Sequence, residues 1–318
     1  TCGSGGMLLE CFHHLERQSK NPRSLSLYGQ EKNLNTWAIC AMNLFLHDID
    51  DAFVERGDTL LDPKHLVGDG TKAIRTFDRV LANPPFGKKS SMSFTNAEGE
   101  QESEDLTYNR QDFWATTSNK QLNVVQHIRS MLKSTGQAAV VVPDNVLFEG
   151  GAGETIRRKL LENTELHTIL RLPTGIFYAQ GVKANVLFFD NHPASPDPWT
   201  REVWYYDYRT NVHHTLKRKP LRIEHLTDFI ECFNPENRHA RKATWGETKN
   251  PDGRWRSYTY EELVDRDKAS LDVFWLKDDS LTDLENLPEP GVLAAEIIEN
   301  LEAGLVSFRE VLSELEGE

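Results

Sequence analysis

The chain has 318 residues, 38% of them hydrophobic and 27% charged, which is long enough to bury a sizeable core in one main domain with appendages. No apolar run reaches the roughly 18 residues of a membrane span and no signal peptide is recognisable, so the composition argues against a membrane or secreted protein and favours a cytoplasmic one. The four cysteines lack C-x-x-C spacing, which argues against a metal site and a disulfide framework. The formal charge of −13 argues against a uniformly basic surface.

The chain opens with a glycine cluster that runs directly into apolar, helix-compatible residues 7–9: Thr1-Cys2-Gly3-Ser4-Gly5-Gly6. Glycines let a backbone turn tightly and approach a cofactor, and the first N–H groups of a following helix favour anionic groups. A Gly/Ser stretch at a terminus is also typical of a linker. The cluster is therefore either a cofactor loop or a linker.

The next segment, residues 25–31, resembles a strand that ends in an acid. Glu31 lies 25 residues after Gly6. In nucleoside-binding folds, an acid about 20 residues past the glycines accepts hydrogen bonds from ribose hydroxyls. We therefore expect Glu31 to bind a cofactor ribose. Residues 33–47 then carry apolar side chains at helical spacing, which predicts a helix.

A second acid follows at Asp58, within the segment Gly57-Asp58-Thr59-Leu60. Asp58 is predicted to bind the amino group of a cofactor adenine, with Thr59 in the same site. The alternative is an ordinary turn aspartate, since Asp is common in turns.

Residues 77–82 read as a strand that ends at Asn83-Pro84-Pro85-Phe86. Proline has no backbone N–H to donate, so two prolines cannot continue a sheet. Open α/β sheets bind ligands at the carboxyl ends of their parallel strands. The tetrad therefore predicts a ligand-binding loop at that edge.

The residue types of the tetrad suit the methylation of a flat amino group. The side-chain oxygen of Asn83 and the carbonyl of Pro84 could each accept one N–H of the amine, which restores its lone pair and stabilises the developing positive charge. Pro85 would stiffen the turn, and Phe86 could stack on the target ring. The alternative is a rigid loop with a core phenylalanine.

Beyond the tetrad, residues 87–119 are polar with little periodicity, which favours a lid or substrate loop. Helices and strands then alternate, the pattern of a doubly wound α/β sheet. The predicted helices are 122–132 and 154–163, and the predicted strands are 137–142, 166–172, 182–190 and 203–206.

Taken in order, these segments resemble the modification (M) subunit of type I restriction-modification systems, an N6-adenine DNA methyltransferase. The more specific segments are Arg110–Trp114, Thr117–Asn123, Val140–Phe148 and Lys183–Phe189. The resemblance implies a mostly parallel, Rossmann-like sheet and S-adenosylmethionine as cofactor. It implies catalysis by the tetrad, and a cofactor site at Thr1, Cys2, Gly3, Ser4, Gly5, Gly6, Glu31, Asp58 and Thr59.

The resemblance also implies domains and partners. In that family a first strand and an acid precede the glycine loop, so we expect the chain to be truncated at its amino terminus. The expected domains are a methyltransferase domain over 1–235 without its first strand, an irregular connector over 236–290 and a coiled-coil-like helix over 291–318. The implied partners are duplex DNA, a specificity (S) subunit, a second M subunit and a restriction (R) motor subunit, without a membrane.

The charge distribution fits a partnered protein. Residues 277–318 contain 12 acidic and two basic residues, so the preceding 276 residues carry only −3. Basic stretches at 209–222 and 238–242 suit phosphates, or are solvated loop faces. In the tail, Ala294, Ile298, Leu301, Leu305, Phe308, Leu312 and Leu315 follow coiled-coil spacing, which predicts a partner helix or a terminal helix folded back on its own domain.

Two other functions remain open at this level. The same polarising geometry suits the side-chain amide of a protein glutamine, although such enzymes are expected to have Tyr where this chain has Phe86. A non-catalytic assembly module, which binds a partner through its tail but holds no cofactor, is the other.

Overall fold

A computed structural model describes residues 1–68, 73–86, 91–95, 101–105, 110–177, 181–278 and 298. The helices are α1 Gly6–Arg17, α2 Leu34–Leu46, α3 Lys120–Ser130, α4 Asn145–Phe148, α5 Ala152–Asn163, α6 Thr227–Phe233 and α7 Tyr260–Val264. The strands are β1 Tyr28–Glu31, β2 Phe53–Arg56, β3 Phe77–Ala82, β4 Ser91–Thr95, β5 Gln101–Asp105, β6 Leu132–Pro143, β7 Thr164–Leu172, β8 Ala184–Asn191, β9 Glu202–Asp207 and β10 Trp255–Thr259.

The strands form three sheets. A six-stranded sheet has the order β10-β9-β7-β8-β6-β3, and β1 pairs with β2 in a separate sheet. The pairs β1/β2, β3/β6 and β7/β9 are all parallel. The mostly parallel α/β sheet predicted from the alternation of helices and strands is confirmed.

Local sequence explains several element boundaries. The side chain of Asn33 caps α2 by accepting the Thr36 N–H at 3.1 Å. Thr259 and Glu262 cap α7 reciprocally, as a Thr-x-x-Glu sequence predicts. Strand β3 ends at Ala82, directly before the tetrad, because neither proline can donate to a ladder.

Three stretches differ from the sequence-based expectation. The polar segment 87–119 contains an antiparallel pair, β4 with β5, which its weak periodicity did not predict. The stretch expected to be an irregular connector contributes β10 and α7. Strand β6 begins at Leu132 and not at the predicted residue 137. Its additional residues are accommodated by a register shift in its pairing with β3, between Phe77 and Arg79. The heptad tail lies outside the described residues apart from Ile298.

The chain divides into two compact units. Unit 1 comprises residues 1–167, 186–203 and 258–272, and unit 2 the remainder. One core of unit 1 packs α1 against α2 through Leu9, Phe12, Cys40, Leu44 and Ile49. In unit 2, the rings of Trp204 and Trp255 stack at 5.1 Å between centroids. All predicted catalytic and cofactor residues belong to unit 1.

Candidate active site

The tetrad lies at the carboxyl end of β3, beside the carboxyl end of β6. The two strands are parallel, with Ala82 opposite Val140. Since parallel strands end at the same edge of a sheet, the tetrad and the segment that follows Pro143 emerge side by side. Asn83 is exposed, Pro84 is buried and Phe86 is half-buried. An exposed amide beside a buried proline is accessible to a ligand at this edge.

A buried glutamine on α3 holds the tetrad. The Nε2 of Gln121 donates to the carbonyl oxygen of Pro85 at 2.7 Å. Gln121 is 2% exposed, and its Oε1 has no hydrogen-bond partner among the described residues. No sequence motif assigns this residue a role, although it lies in one of the segments that carry the resemblance.

The amino terminus of α3 is tied to the end of β6 through Asn119. Its Oδ1 caps α3 by accepting the N–H groups of Gln121 and Leu122, at 3.0 and 3.3 Å. Its Nδ2 donates to Oε2 of Glu149 at 2.8 Å, and Asn145 donates to the same oxygen at 3.1 Å. The tetrad, the start of α3 and the segment after β6 are therefore joined by side-chain hydrogen bonds.

The predicted cofactor loop is built against the end of β1. The N–H of Cys2 donates to the Gln30 carbonyl at 3.0 Å, and the Gly5 N–H donates to the Cys2 carbonyl at 3.1 Å. Gly3 and Gly5 have φ of 58° and 84°, a backbone conformation that residues other than glycine rarely adopt. A Cβ on Gly5 would also lie 2.8 Å from the Sγ of Cys40. The turn therefore favours glycine at positions 3 and 5.

Glu31 closes this loop. Its Oε2 accepts the Gly3 N–H at 3.1 Å and its Oε1 accepts the Asn33 N–H at 3.0 Å. A carboxylate has about four acceptor positions, so each oxygen retains capacity for a further donor such as a hydroxyl. The geometry therefore brings Glu31 to the glycine loop, and its binding of a ribose stays a prediction.

Asp58 lies at the carboxyl end of β2, at the same edge as Glu31 because β1 and β2 are parallel. Its Oδ1 accepts the Leu60 N–H at 3.0 Å, and its Oδ2 lies 3.2 Å from the Lys32 Nζ. Burial raises the pKa of Asp58, but the hydrogen bonds from Leu60, Lys32 and Leu61 outweigh it and hold that pKa below its usual value. Asp58 thus stabilises its own turn and remains ionised.

The remaining predicted cofactor residues surround the same edge. The backbone nitrogen of Thr1 lies 3.4 Å from the Oγ1 of Thr59, and the Ser4 carbonyl accepts the side-chain amide of Asn43 at 3.0 Å. Gly6 begins α1, whose first N–H groups lack partners within the helix.

Two cysteines pack beneath the loop. The Sγ atoms of Cys2 and Cys40 lie 4.0 Å apart, and this contact raises the pKa of Cys40 and lowers that of Cys2. All four cysteines lie in the described residues and are free thiols, and of the four only Cys40 is buried. A pair 38 residues apart gives no local spacing signal, so the sequence did not predict this contact.

Arg110 connects the turn after Asp58 with helix α3. Its Nη1 donates to the Leu60 carbonyl at 3.3 Å and to the Nδ1 of His127 on α3 at 3.1 Å. Burial, and secondly the Arg110 charge, lower the pKa of His127 to about 3, so the imidazole accepts this hydrogen bond in its neutral form. The turn after Asp58 is thereby tied to the helix that holds the tetrad.

The basic stretches are divided between structure and surface within unit 2. Arg209 donates to the carbonyls of Leu172 and Ala184, and Arg241 donates to the Phe233 carbonyl at 2.7 Å. Those two guanidinium groups therefore stabilise the unit itself. The exposed basic side chains of the two stretches are His213, Lys217, Arg218, Lys219, Arg222, His239 and Lys242.

Within the described part of the chain, no group of His, Cys, Asp and Glu could hold a metal ion. Among the same residues, no helix has the length and hydropathy of a membrane span.

Comparison with known proteins gives one family. The model of the N-6 DNA methylase family matches residues 1–268. The chain is 36% identical, over 98% of its length, to the methylase subunit of the type I restriction enzyme EcoKI of Escherichia coli K12, and 37% identical over 98% of its length to the StySJI methylase subunit of Salmonella typhimurium. It spans 63% of the length of each of these relatives.

The crystal structure of the EcoKI M protein has the same fold. Its TM-score against this chain is 0.68 at 36% identity, and the match covers 99% of this chain and 68% of that one. Because the family model covers most of the chain, including the glycine loop and the tetrad, the chain belongs to the N-6 DNA methylase family.

Proposed function

We propose that the protein transfers a methyl group from S-adenosylmethionine to the N6 amino group of adenine in duplex DNA, as the modification subunit of a type I restriction-modification complex. The observation that carries this proposal is the placement of Asn83 and Pro84 at the end of β3, in the same compact unit as a glycine loop closed by Glu31. The names of the relatives, which are methylase subunits of type I restriction enzymes, agree with it.

The tetrad provides acceptors for the amine. The Oδ1 of Asn83 and the carbonyl of Pro84 each accept one N6–H, so the nitrogen lone pair leaves the ring and becomes available for attack. The Pro85 carbonyl accepts a hydrogen bond from Gln121, and the Pro84 carbonyl is the proposed main-chain acceptor for the amine. No strong base is required, because the amine becomes acidic as it acquires positive charge and releases its surplus proton to water.

The cofactor residues fit S-adenosylmethionine by their donor set. Glu31 has acceptor capacity for ribose hydroxyls, and the ionised Asp58 accepts from an amino group. Gly3 leaves open space where a side chain would project, since nothing lies within 4 Å of a Cβ built there. When bound, the cofactor supplies an electrophilic methyl group on its sulfonium sulfur.

The target adenine must leave the DNA stack to reach Asn83. Enzymes that modify a base flip it into a pocket and read it by stacking and hydrogen bonds. Phe86, the half-buried last residue of the tetrad, is proposed to stack on the flipped base, which is worth about 1–3 kcal/mol.

We further propose the partners of a type I complex: an S subunit that reads the DNA sequence, a second M subunit and an R motor subunit. The near-neutral charge of residues 1–276 supports this. DNA binding is driven largely by basic side chains that displace counterions from the phosphates, so a segment with no excess of basic residues is expected to bind DNA weakly without a partner. Methylation of a protein glutamine is not favoured, since the family match is to DNA methylases.

The test is incorporation of radiolabelled methyl groups into DNA by the protein co-expressed with its S subunit. Asn83→Ala is expected to reduce incorporation by about 100-fold or more, since one preorganised acceptor is lost. Asn35→Ala, at an exposed position on α2, is the matched control and should retain full activity. Unchanged incorporation by Asn83→Ala would show that the tetrad has another role, and label in protein would favour glutamine methylation.

A further inference from the structure

We propose that Gln121 is a positioning residue for methyl transfer, and that its hydrogen bond to the Pro85 carbonyl sets the orientation of the catalytic tetrad. This inference rests on the proposed function, because it assigns Gln121 a role in that same reaction.

The tetrad needs an external support. Neither Pro84 nor Pro85 has an N–H, so two of its four residues cannot donate to the sheet or to a turn. The carbonyl of Pro85 is instead fixed from outside, by the Nε2 of Gln121 at 2.7 Å. Gln121 is 36 residues further along the chain and is buried, which makes it a firm anchor.

Fixing the Pro85 carbonyl constrains the proposed acceptor next to it. The ring of Pro85 locks φ, so the peptide plane that carries the Pro84 carbonyl can move little once the Pro85 carbonyl is held. The distance and angle at which Pro84 accepts the amine are therefore set through Gln121. Misplacement of a reacting group by about 1 Å can reduce a rate about 100-fold.

The anchor is itself rigid. The Gln121 N–H donates to the capping oxygen of Asn119, and Asn119 is held by Glu149 at 2.8 Å. On the same helix, Gln126 both accepts the Ala115 N–H at 2.9 Å and donates to the Ala115 carbonyl at 3.0 Å. Because its helix is fixed in this way, Gln121 holds the tetrad in place and does not move with the loop.

The buried amide of Gln121 is only half satisfied, since its Nε2 donates to Pro85 but its oxygen has no donor within the described part of the chain. Its Oε1 is buried without a hydrogen-bond partner among the described residues, and unsatisfied buried acceptors reduce stability. An apolar side chain of similar size avoids that cost. This combination, a stability cost with a direct contact to the catalytic loop, is expected of a residue kept for the reaction.

The experiment measures single-turnover methylation of DNA and thermal unfolding, with the protein in complex with its S subunit. Gln121→Leu is expected to lower the rate constant at least about tenfold at saturating cofactor and DNA. Its Kd for S-adenosylmethionine should stay within about twofold, and its Tm should fall less than that of Gln126→Leu, because removal of the unsatisfied oxygen offsets the lost hydrogen bond to Pro85.

The matched control is Gln126→Leu, which removes a buried amide from the same helix without a contact to the tetrad. It should lower Tm, because it breaks two hydrogen bonds to Ala115, and should lower the rate constant less than Gln121→Leu does. Equal rate losses in the two variants, or a normal rate in Gln121→Leu, would overturn the positioning role.

Gln121→Glu adds a readout that a purely structural role does not predict. The introduced carboxyl donates to the Pro85 carbonyl only when protonated, and burial raises a carboxyl's pKa. Its rate relative to wild type should therefore rise as the pH falls from about 8 to about 6, whereas that of Gln121→Leu should stay flat. A flat ratio for both variants would contradict the hydrogen bond. A wild-type complex that does not methylate DNA would overturn the proposed function together with this role.

Discussion

The Oε2 of Glu31 accepts the N–H of Gly3 at 3.1 Å, so the acid at the end of β1 and the glycine loop form one unit. The contact explains how a carboxylate 28 residues from Gly3 comes to lie where a cofactor ribose is proposed to bind. Glu31 therefore stabilises the loop, in addition to its proposed contact with the cofactor.

Removing the charge of Glu31 should weaken cofactor binding. Glu31→Gln keeps the size of the side chain but loses an ionised acceptor, and hydrogen bonds to charged groups contribute about 1.5–3 kcal/mol. We expect Kd for S-adenosylmethionine to rise at least about tenfold, measured by isothermal titration calorimetry. Glu55→Gln, at an exposed position on β2, is the control and should bind normally. Equal affinities of the two variants would remove Glu31 from the cofactor site.

The two adjacent glycines of the loop should respond differently to alanine. Gly5 has φ of 84° and a Cβ there would lie 2.8 Å from the Cys40 sulfur, whereas a Cβ on Gly6 would meet nothing within 4 Å. Gly5→Ala is therefore expected to lose about 1–2 kcal/mol of stability from its backbone alone, and to bind cofactor poorly. Gly6→Ala should be tolerated for folding, because Ala suits the first turn of α1.

Calorimetry and thermal unfolding of both variants check this prediction. The double variant Gly5→Ala with Cys40→Ala separates the two causes, because it removes the steric contact and leaves the left-handed backbone. Partial recovery of Tm is expected. A Gly5→Ala protein with normal Tm and normal affinity would mean that the loop can adopt another conformation.

The sequence predicts the boundaries of helices and strands around the candidate site where the determinants are local. Pro84 and Pro85 end β3 because they cannot donate, and Asn33 starts α2 because its short amide caps the helix. Both effects operate within a few residues, so a linear pattern reveals them. The acid at position 31 was predicted because glycine-to-acid spacing reflects one strand and one helix of ordinary length.

The determinants that join distant segments were missed. Gln121 reaches Pro85 across 36 residues, and Cys40 lies beneath Cys2 across 38. Polar side chains in a helix look the same in sequence whether they face water or a catalytic loop. Only the contact of α3 with the loop after β3 shows that Gln121 faces the tetrad and not water. The β4/β5 pair was missed for the related reason that polar strands lack an apolar alternation.

The buried imidazole of His127 should make stability depend on pH. Burial lowers its folded-state pKa to about 3, whereas an unfolded histidine titrates near about 6.5. Between these values the unfolded chain binds a proton that the folded chain does not. The free energy of unfolding should therefore fall as the pH falls, by at most about 1.4 kcal/mol per pH unit.

Urea unfolding across this pH range checks the prediction. His127→Gln removes the titrating group, so its stability should fall less steeply with acid than that of wild type. His14→Gln, at an exposed position on α1, is the control and should keep the wild-type slope. Identical slopes for wild type and His127→Gln would show that other groups dominate the acid response.

Two neighbouring arginines on α5 offer the sharpest test of what stabilises unit 1. Arg157 is 1% exposed and donates to four carbonyls, those of Val146, Glu149, Lys268 and Ala269. Burial lowers the pKa of Arg157 to about 10, so the group is still charged at neutral pH. Arg158, by contrast, is partly exposed and pairs with Glu154 at 2.9 Å.

Arg157→Met should destabilise the protein by about 3 kcal/mol or more, because several buried carbonyls lose their donor at once. The positive φ angles of Lys268 and Ala269, 54° and 46°, would also lose the guanidinium that holds them. Arg158→Met should cost about 1 kcal/mol or less, since exposed ion pairs contribute little. Urea unfolding of both variants measures the difference. Similar losses in the two would mean that water replaces the guanidinium, and that the segment after α7 is held by its apolar contacts instead.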